Sequence, residues 1–142
     1  MTGPQVAVGA VAVVGDRILL VRRGHGPAAG TWSVPGGRVT HGETLHEAVV
    51  REVAEETGLA VVVQRFLGWV ERLGDSPADP HFVILDFAVA PLDATQAPQA
   101  ADDAAEAAWV PLGELDEWRL APGLLDFLEE VHVRQRPQAP TR

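Results

Sequence analysis

The chain has 142 residues and a mass of 15.1 kDa, which fits one domain and hardly two. It contains no cysteine, and this excludes a disulfide framework, a thiolate zinc site and a cysteine nucleophile. The formal net charge is −9, so the chain has no electrostatic reason to bind nucleic acid or an anionic membrane. Because lysine is absent, all 11 basic residues are arginine, which excludes a P-loop or Schiff-base lysine. No secretory signal precedes the longest apolar run, which is far too short to span a bilayer, and we expect a cytoplasmic protein.

The N-terminal third of the sequence predicts a β-hairpin followed by a short strand. Valine- and leucine-rich runs at residues 6–14 and 17–21 flank a Gly-Asp turn at residues 15–16, a pattern typical of a hairpin. Residues 32–34 predict a short strand. The Pro-Gly-Gly segment at residues 35–37 is expected to interrupt regular structure.

Residues 44–57 predict an α-helix with a defined start and end. Thr44 and Glu47 have the spacing of a capping box, in which each side chain accepts a hydrogen bond from the other residue's backbone N–H. Gly58 stands where a left-handed C-terminal cap is expected.

The C-terminal half is predicted to be mainly β-structure with one terminal helix. Residues 60–73 and 81–90 predict strands, residues 91–105 a flexible loop, and residues 107–110 a short last strand. A helix predicted over residues 120–133 has an apolar side formed by Leu124, Leu125, Leu128 and Val131. Because strands outnumber helices, we expect an α/β or α+β fold in one domain over residues 1–133. Residues 134–142 are expected to form a disordered tail.

The predicted helix carries a concentrated set of carboxylates. On a helical wheel, Glu52, Glu55 and Glu56 fall within an arc of about 100°, and the valines of the helix occupy a different side. Like charges three and four positions apart repel each other, and this chain has no lysine to relieve them. Such a face is either a solvated surface or a site for a hard divalent cation, and Mg²⁺ or Mn²⁺ is the cation that oxygen ligands favour.

The residues before and within the helix support the metal interpretation. The Pro-Gly-Gly segment lets the backbone turn tightly and can aim carbonyl oxygens at a metal. Arg51 can pair with Glu47 and Glu55 at four-residue spacing and hold the carboxylates in orientation. Glu43, just before the helix, can interact with helix amides or with Arg51, or reach a metal through water.

This segment resembles the signature of the Nudix hydrolases, G-x5-E-x7-R-E-U-x-E-E-x-G-U, where U is a bulky aliphatic residue. Every fixed position is matched here, by Gly37, Glu43, Arg51, Glu52, Val53, Glu55, Glu56, Gly58 and Leu59. A looser resemblance in the order of elements covers about residues 5–133, including the late Trp-Val-Pro at residues 109–111.

The resemblance implies an α/β/α sandwich around a mixed β-sheet. It also implies hydrolysis of a nucleoside diphosphate linked to another group, in which water attacks a phosphorus atom and Mg²⁺, or Mn²⁺ in its place, neutralises the pyrophosphate. The implied metal ligands are Glu52, Glu55, Glu56 and the carbonyl of Gly36. Arg51 is implied to orient Glu52, and the implied loop-structuring residues are Gly37, Glu43 and Gly58.

The residue that activates the water stays open. In this family it is either a signature glutamate, such as Glu52 or Glu55, or a carboxylate in a later loop. Asp102, Asp103 and Glu106 precede Trp109 in such a loop, with Asp103 and Glu106 the better candidates, and all three can equally be solvated acids.

The overall pattern resembles the small bacterial ADP-ribose pyrophosphatases, so ADP-ribose or a related nucleoside diphosphate sugar is the expected substrate. The alternative is a MutT-type nucleoside triphosphate pyrophosphohydrolase, and a minor alternative is a nucleotide sensor without turnover. Expected substrate-binding residues are Arg23, Trp32 and His81, although Trp32 can instead belong to the core and His81 can simply end a strand. We expect a small nucleotide as partner, no nucleic acid and no membrane, and a homodimer is left open.

Overall fold

The computed structural model describes residues 3–25 and 29–134. The strands in chain order are β1 (Gln5–Val14), β2 (Arg17–Arg23), β3 (Trp32–Ser33), β4 (Gly36–Arg38), β5 (Val61–Arg72), β6 (Phe82–Pro91) and β7 (Ala104–Pro111). The helices are α1 (Leu45–Thr57), a 3₁₀ helix (Leu112–Glu117) and α2 (Leu124–Glu130). Within these residues no helix has the length and apolar character needed to cross a membrane.

The strands of the described residues form a mixed sheet with the order β3-β2-β1-β6-β5, to which β4 adds on β1 and β7 on β2. β1 and β6 run parallel, and the other strand pairs are antiparallel. β1 and β2 pair only beside their turn, where Val13 faces Ile18 and Val14 faces Arg17. Beyond the turn, β1 pairs with β4 and β6, whereas β2 pairs with β3 and β7. The short segment between β3 and β4 connects these two groups of strands.

Helices pack on both faces of the sheet because side chains alternate along each strand. On β1, Val8 packs with Val49 and Val53 of α1. Val11 faces the opposite way and packs in the cluster that contains Phe127 of α2. The predicted fold class is therefore confirmed: an α/β protein with helices on both faces of a mixed sheet.

The hairpin, the first helix and the two long strands form where they were predicted. α1 begins with the predicted capping box, in which Glu47 N–H donates to Thr44 Oγ1 at 3.1 Å and Thr44 N–H donates to Glu47 Oε1 at 2.9 Å. It ends at Gly58, which has a φ of 74° and donates its N–H to the carbonyl of Ala54. The helix boundaries that position the glutamates are therefore set by local sequence.

The prediction that the Pro-Gly-Gly segment lacks regular structure is wrong for its two glycines. Gly36 and Gly37 begin β4 and pair with Gly9 and Val8 of β1. A Cβ on residue 36 would overlap the carbonyl oxygen of Val8, so glycine is what permits this close pairing.

The loop predicted over residues 91–105 is held more firmly than its composition indicates. The N–H groups of Gln99 and Ala101 donate to the carbonyl oxygens of Thr57 and Glu56, at 2.9 and 3.2 Å. β7 also begins inside the predicted loop and is longer than expected, because it pairs along the whole length of β2. The loop is thus attached to the C-terminal end of α1.

The helix predicted over residues 120–133 is shorter in the structure, where α2 has only seven residues. Leu120 instead forms a β-bridge with Trp32, and Gly123, at a φ of 83°, precedes the first helical residue. The 3₁₀ helix was not predicted. Of the predicted tail, Arg134 donates to Asp116 at 2.7 Å, and the remainder lies outside the described residues.

Candidate active site

The three glutamates of α1 differ in how far they are buried. Glu56 is only 8% exposed, Glu52 is partly buried and Glu55 is exposed. Val53, beside them in sequence, lies in the core under α1. The helix therefore places one carboxylate inside the protein, one at its boundary and one in solvent.

Arg51 links these carboxylates to the loop before the helix. Its guanidinium donates to both carboxylate oxygens of Glu43, at 2.7 and 2.9 Å, and to the carbonyl of Arg38 at 3.0 Å. It also donates to Glu52 at 2.9 Å and to Glu55 at 3.1 Å. A planar guanidinium with five donors suits this role, and Arg51 fixes the orientation of three glutamates at once.

Glu43 also forms hydrogen bonds within the loop that precedes α1. Its carboxylate accepts hydrogen bonds from the N–H and hydroxyl groups of Thr40, at 3.0 and 2.9 Å. Hydrogen bonds from Arg51, and then from the Thr40 backbone, lower the pKa of Glu43 to about 2. The predicted pairing of Arg51 with Glu47 is wrong, because the Glu47 carboxylate closes the capping box instead.

The first residues of β4 approach the two inner glutamates closely. Gly36 N–H donates to Glu56 Oε1 at 2.9 Å. A Cβ on Gly37 would lie 2.5 Å from the Glu52 carboxylate, so only glycine leaves room for that side chain. The backbone of β4 and the carboxylates of α1 therefore form one compact group of oxygen and nitrogen atoms.

Burial and mutual repulsion raise the pKa values of the inner glutamates. Burial raises the pKa of Glu56 to about 7, with smaller contributions from the charges of Glu52 and Asp103, while Arg23 acts in the opposite direction. Burial also raises the pKa of Glu52, although the hydrogen bond from Arg51 lowers it. The two carboxylates therefore ionise less readily than exposed ones, and a cation beside them would favour their charged forms.

The donor atoms of this group fit a divalent cation that binds together with a substrate. Among residues 3–25 and 29–134, no three acidic or histidine side chains converge closely enough to hold a metal alone. Glu52 is turned toward Arg51 and Glu56 toward Gly36 N–H. Mg²⁺ is usually bound by one or two carboxylates plus waters and substrate phosphates rather than by an all-protein cage, so this arrangement suits it.

The loop before β7 brings two of the three predicted acids to the glutamates. Its attachment through Ala101 places Asp102 where its charge acts on Glu52, and Asp103 where its charge acts on Glu56. Asp102 also adopts a φ of 56°, which is uncommon for a residue with a Cβ.

Arg23 and Glu106 are placed differently with respect to this group. Arg23, at the end of β2, acts electrostatically on Glu56. The Glu106 carboxylate is instead bound by Arg22 on the neighbouring strand, with Nη2 at 2.6 Å. Arg22 therefore engages the Glu106 carboxylate, and the catalytic role of Glu106 stays a prediction.

Trp32 and His81, two of the predicted substrate-binding residues, contact residues other than the glutamates of α1. Trp32 is 9% exposed and packs edge-on against Trp118, with ring centroids 4.8 Å apart. A ring so enclosed has no free face for a nucleobase, so its placement corrects the stacking prediction to a core role. His81, which immediately precedes β6, has its Nε2 3.4 Å from a carboxylate oxygen of Glu71.

Two charged residues near the site were not predicted from the sequence. Asp86 of β6 is only 5% exposed, and Arg72 of β5 is partly buried. The charges of Arg23 and Asp86 both act on Arg72. A signal was present in the sequence, because Asp86 is the only charged residue between Phe82 and Ala90.

Comparison with known proteins identifies the family of the chain. Residues 3–131 match the NUDIX domain family. The chain is 38% identical over 112 residues to an ADP-ribose pyrophosphatase of Methanocaldococcus jannaschii, an alignment that covers 79% of this chain and 64% of that protein. It is 33% identical over 124 residues to the human 8-oxo-dGDP phosphatase NUDT18, covering 87% of this chain and 37% of that protein.

Solved structures show the same fold. A MutT NUDIX hydrolase from Burkholderia pseudomallei superposes with a TM-score of 0.76 at 29% identity, over 91% of this chain and 98% of that one. The chain therefore belongs to the NUDIX family, whose hydrolases generally need divalent metal ions such as Mg²⁺. It spans less than two thirds of the length of the two curated relatives named above.

Proposed function

We propose that this protein is a Mg²⁺-dependent hydrolase that cleaves the pyrophosphate of a nucleoside diphosphate linked to a second group, with ADP-ribose or a related sugar nucleotide as substrate. The observation that carries the proposal is the contact between β4 and α1. There, Gly36 N–H binds Glu56 and Gly37 leaves room for Glu52. The name of the M. jannaschii relative supports the choice of ADP-ribose.

In this proposal Glu52, Glu56 and the Gly36 carbonyl would hold the principal Mg²⁺, and the exposed Glu55 would contribute to a further one. Bound there, Mg²⁺ would neutralise phosphate oxygens and lower the pKa of a coordinated water. Arg51 holds Glu52 and Glu55 in place through its hydrogen bonds, and Glu43 holds Arg51. Most of the protein's task is therefore the positioning of charge.

The reaction requires a base for the attacking water. The water oxygen forms a bond to one phosphorus, the bridging P–O bond breaks, and ADP-ribose gives AMP and ribose 5-phosphate. We propose that Asp103 or a signature glutamate accepts the proton of the water, since Asp103 lies near enough to act on Glu56. Mn²⁺ is expected to substitute for Mg²⁺, because both take oxygen ligands.

A second candidate is hydrolysis of oxidised purine nucleotides, with release of the nucleoside monophosphate. The name of the human relative favours it, and the carboxylate group would serve either reaction.

A product-resolved hydrolysis panel with Mg²⁺ separates these candidates. It contains ADP-ribose, other nucleoside diphosphate sugars, and normal and oxidised dNTPs and dNDPs. Release of AMP and ribose 5-phosphate from ADP-ribose with the highest kcat/KM supports the main proposal. Preferred cleavage of oxidised nucleotides moves the protein to the second candidate, and no hydrolysis of any compound rejects both. Glu114→Gln, an exposed glutamate remote from α1 in sequence, is the matched control for active-site substitutions.

A further inference from the structure

Asp86 is a buried carboxylate for which the proposed reaction has no role. It lies in the middle of β6, where its register partners are Gly9 on β1 and Gly68 on β5. A Cβ on residue 9 would overlap Asp86 Oδ1, and the next nearest side chain there is that of Val34. Two glycines therefore flank the carboxylate, which leans across β1 toward the segment that leads into β4.

The Asp86 carboxylate makes no hydrogen bond to any residue that the structure describes. Within the same residues, no fully enclosed polar side-chain atom lacks a partner, so the Asp86 oxygens keep a narrow access to solvent. Phe87 and Val89 pack on the α1 side of the sheet, and strand alternation directs Asp86 to the opposite face. An acceptor in this setting is open to a ligand.

Arg72 is the charge that acts most directly on Asp86. Burial, and then the like charge of Arg23, lower the pKa of Arg72, while Asp86 raises it. Within the described residues Arg72 forms neither an ion pair nor a hydrogen bond, so a gap of more than 4 Å separates its guanidinium nitrogens from the carboxylate oxygens. Arg72 and Gly68 are four positions apart on β5, beyond both register shifts of that strand, and therefore share a face.

The four charges form a continuous series from the candidate metal site into the sheet. The charge of Arg23 acts on both Glu56 and Arg72, and the charge of Arg72 acts on Asp86. A nucleotide whose pyrophosphate lies at Glu56 has its phosphates beside Arg23, and its remaining part extends toward Arg72 and Asp86.

The gap between Asp86 and Arg72 favours groups that both donate and accept hydrogen bonds. A group that fills it must donate a hydrogen bond to a carboxylate and accept one from a guanidinium. A phosphate would be repelled by Asp86, and an apolar group would leave both side chains without a partner. A sugar hydroxyl satisfies both with a single atom, whereas a nucleobase needs two neighbouring atoms of its edge to do so.

From this geometry we infer that Asp86 and Arg72 bind the ribose hydroxyls of the nucleotide substrate and make the protein selective for ribose. The position of the ribose rests on the proposed function, because the pyrophosphate must lie at Glu56. The hydroxyls belong either to the nucleoside ribose or to a distal ribose such as that of ADP-ribose.

Calorimetric binding with probes that are not hydrolysed tests this inference. The probes are α,β-methylene-ADP-ribose, α,β-methylene-ADP and the 2′-deoxy form of α,β-methylene-ADP, each with Mg²⁺. Asp86→Asn and Arg72→Gln should weaken binding of α,β-methylene-ADP-ribose about ten-fold or more. Arg72→Lys should restore part of the affinity. Asp126→Asn and Arg65→Gln, both at exposed positions, should bind like the wild type.

The pattern of losses identifies the ribose. A loss confined to α,β-methylene-ADP-ribose assigns the distal ribose, whereas a loss with α,β-methylene-ADP that is smaller with its deoxy form assigns the nucleoside ribose. Equal losses for all three probes, unchanged affinities, or no binding of any probe overturn the inference. Circular dichroism confirms that each variant is folded, and Arg72→Gln keeps the test decisive if Asp86→Asn does not fold. These experiments measure binding and not turnover. A protein that binds the ribose but does not hydrolyse the substrate would contradict the proposed function and leave this inference standing.

Discussion

Glu56 is almost fully enclosed, and this burial raises the pKa of its carboxylate to about 7. The N–H of Gly36 is its one hydrogen-bond donor among the described residues. Such a residue contributes little to packing that glutamine could not supply, so its carboxylate is best explained by what it binds.

Glu56→Gln should therefore lower kcat by several orders of magnitude while the fold is retained. The substitution removes a metal charge but keeps the size and the acceptor oxygen of the side chain. Steady-state kinetics at saturating Mg²⁺, with Glu114→Gln as control, measure the effect. Turnover near the wild-type value would contradict the ligand assignment.

The buried carboxyl of Asp86 should make the stability of the folded protein depend on pH. Burial raises its pKa from 3.8 to about 7, so the folded state holds a proton that the unfolded chain releases in this range. The contribution of Asp86 to stability is therefore greatest below about pH 4 and falls as the pH rises toward 7. The loss corresponds to an upper limit of about 4 kcal/mol.

Asp86→Asn removes this ionisation and should be increasingly more stable than the wild type between pH 4 and pH 8. Urea unfolding at a series of pH values gives the difference, and Asp126→Asn should show no such trend. A constant difference between Asp86→Asn and the wild type across this range would show that the carboxyl does not titrate as stated.

At the scale of elements, α1 and its caps determine where the carboxylates lie. Thr44→Ala should lower the free energy of unfolding by about 1 kcal/mol, because it removes the side-chain acceptor of the capping box. Thr44→Ser retains that acceptor and should be close to the wild type. Denaturant unfolding of both variants checks this, and equal losses would show that the methyl group, not the hydrogen bond, matters.

β4 supplies the glycines that contact the glutamates of α1. Gly37→Ala should lower kcat/KM at least ten-fold, because the new Cβ displaces the Glu52 carboxylate. Gly113→Ala, where a Cβ meets no atom within 4 Å, is the control. Equal activity of Gly37→Ala and the wild type would mean that Glu52 can move without consequence.

The sequence predicts elements whose determinants are local. The β1–β2 turn and the caps of α1 depend on a few adjacent residues, and all formed as expected. β4 could not be predicted, because Gly36 and Gly37 are a strand only through their pairing with Val8 and Gly9. The extent of β7 depends in the same way on β2.

The candidate site likewise combines features that follow from the local sequence with features that depend on tertiary contacts. The spacing of Glu52, Glu55 and Glu56 follows from the helix period, so the carboxylate face could be derived from the sequence. The roles of Asp103 and Glu106 could not be separated, because only the tertiary hydrogen bond from Ala101 to Glu56 and the pairing of Glu106 with Arg22 distinguish them. The sequence marks Asp86 as a lone charge in an apolar strand, but its environment could not be derived, since its neighbours come from distant strands.

At the scale of the whole molecule, Mg²⁺ should stabilise the folded state by mass action. A ligand present at about 100 times its dissociation constant adds about 2.7 kcal/mol, which raises Tm by several degrees in a domain of this size. Thermal unfolding with increasing Mg²⁺, against EDTA, measures the shift. Glu56→Gln should show a much smaller one, and an equal shift in both proteins would place the cation elsewhere.

The parallel pairing of β1 with β6 has a consequence for how the chain folds. It joins strands that lie more than half the chain apart, from Gln5 opposite Phe82 onward, and closing so long a loop is entropically costly. The antiparallel β5–β6 hairpin involves a much shorter loop and can form first. The central strand pair, and with it the row in which Gly9 faces Asp86, is then among the last contacts made, which makes folding slow for a chain of this length.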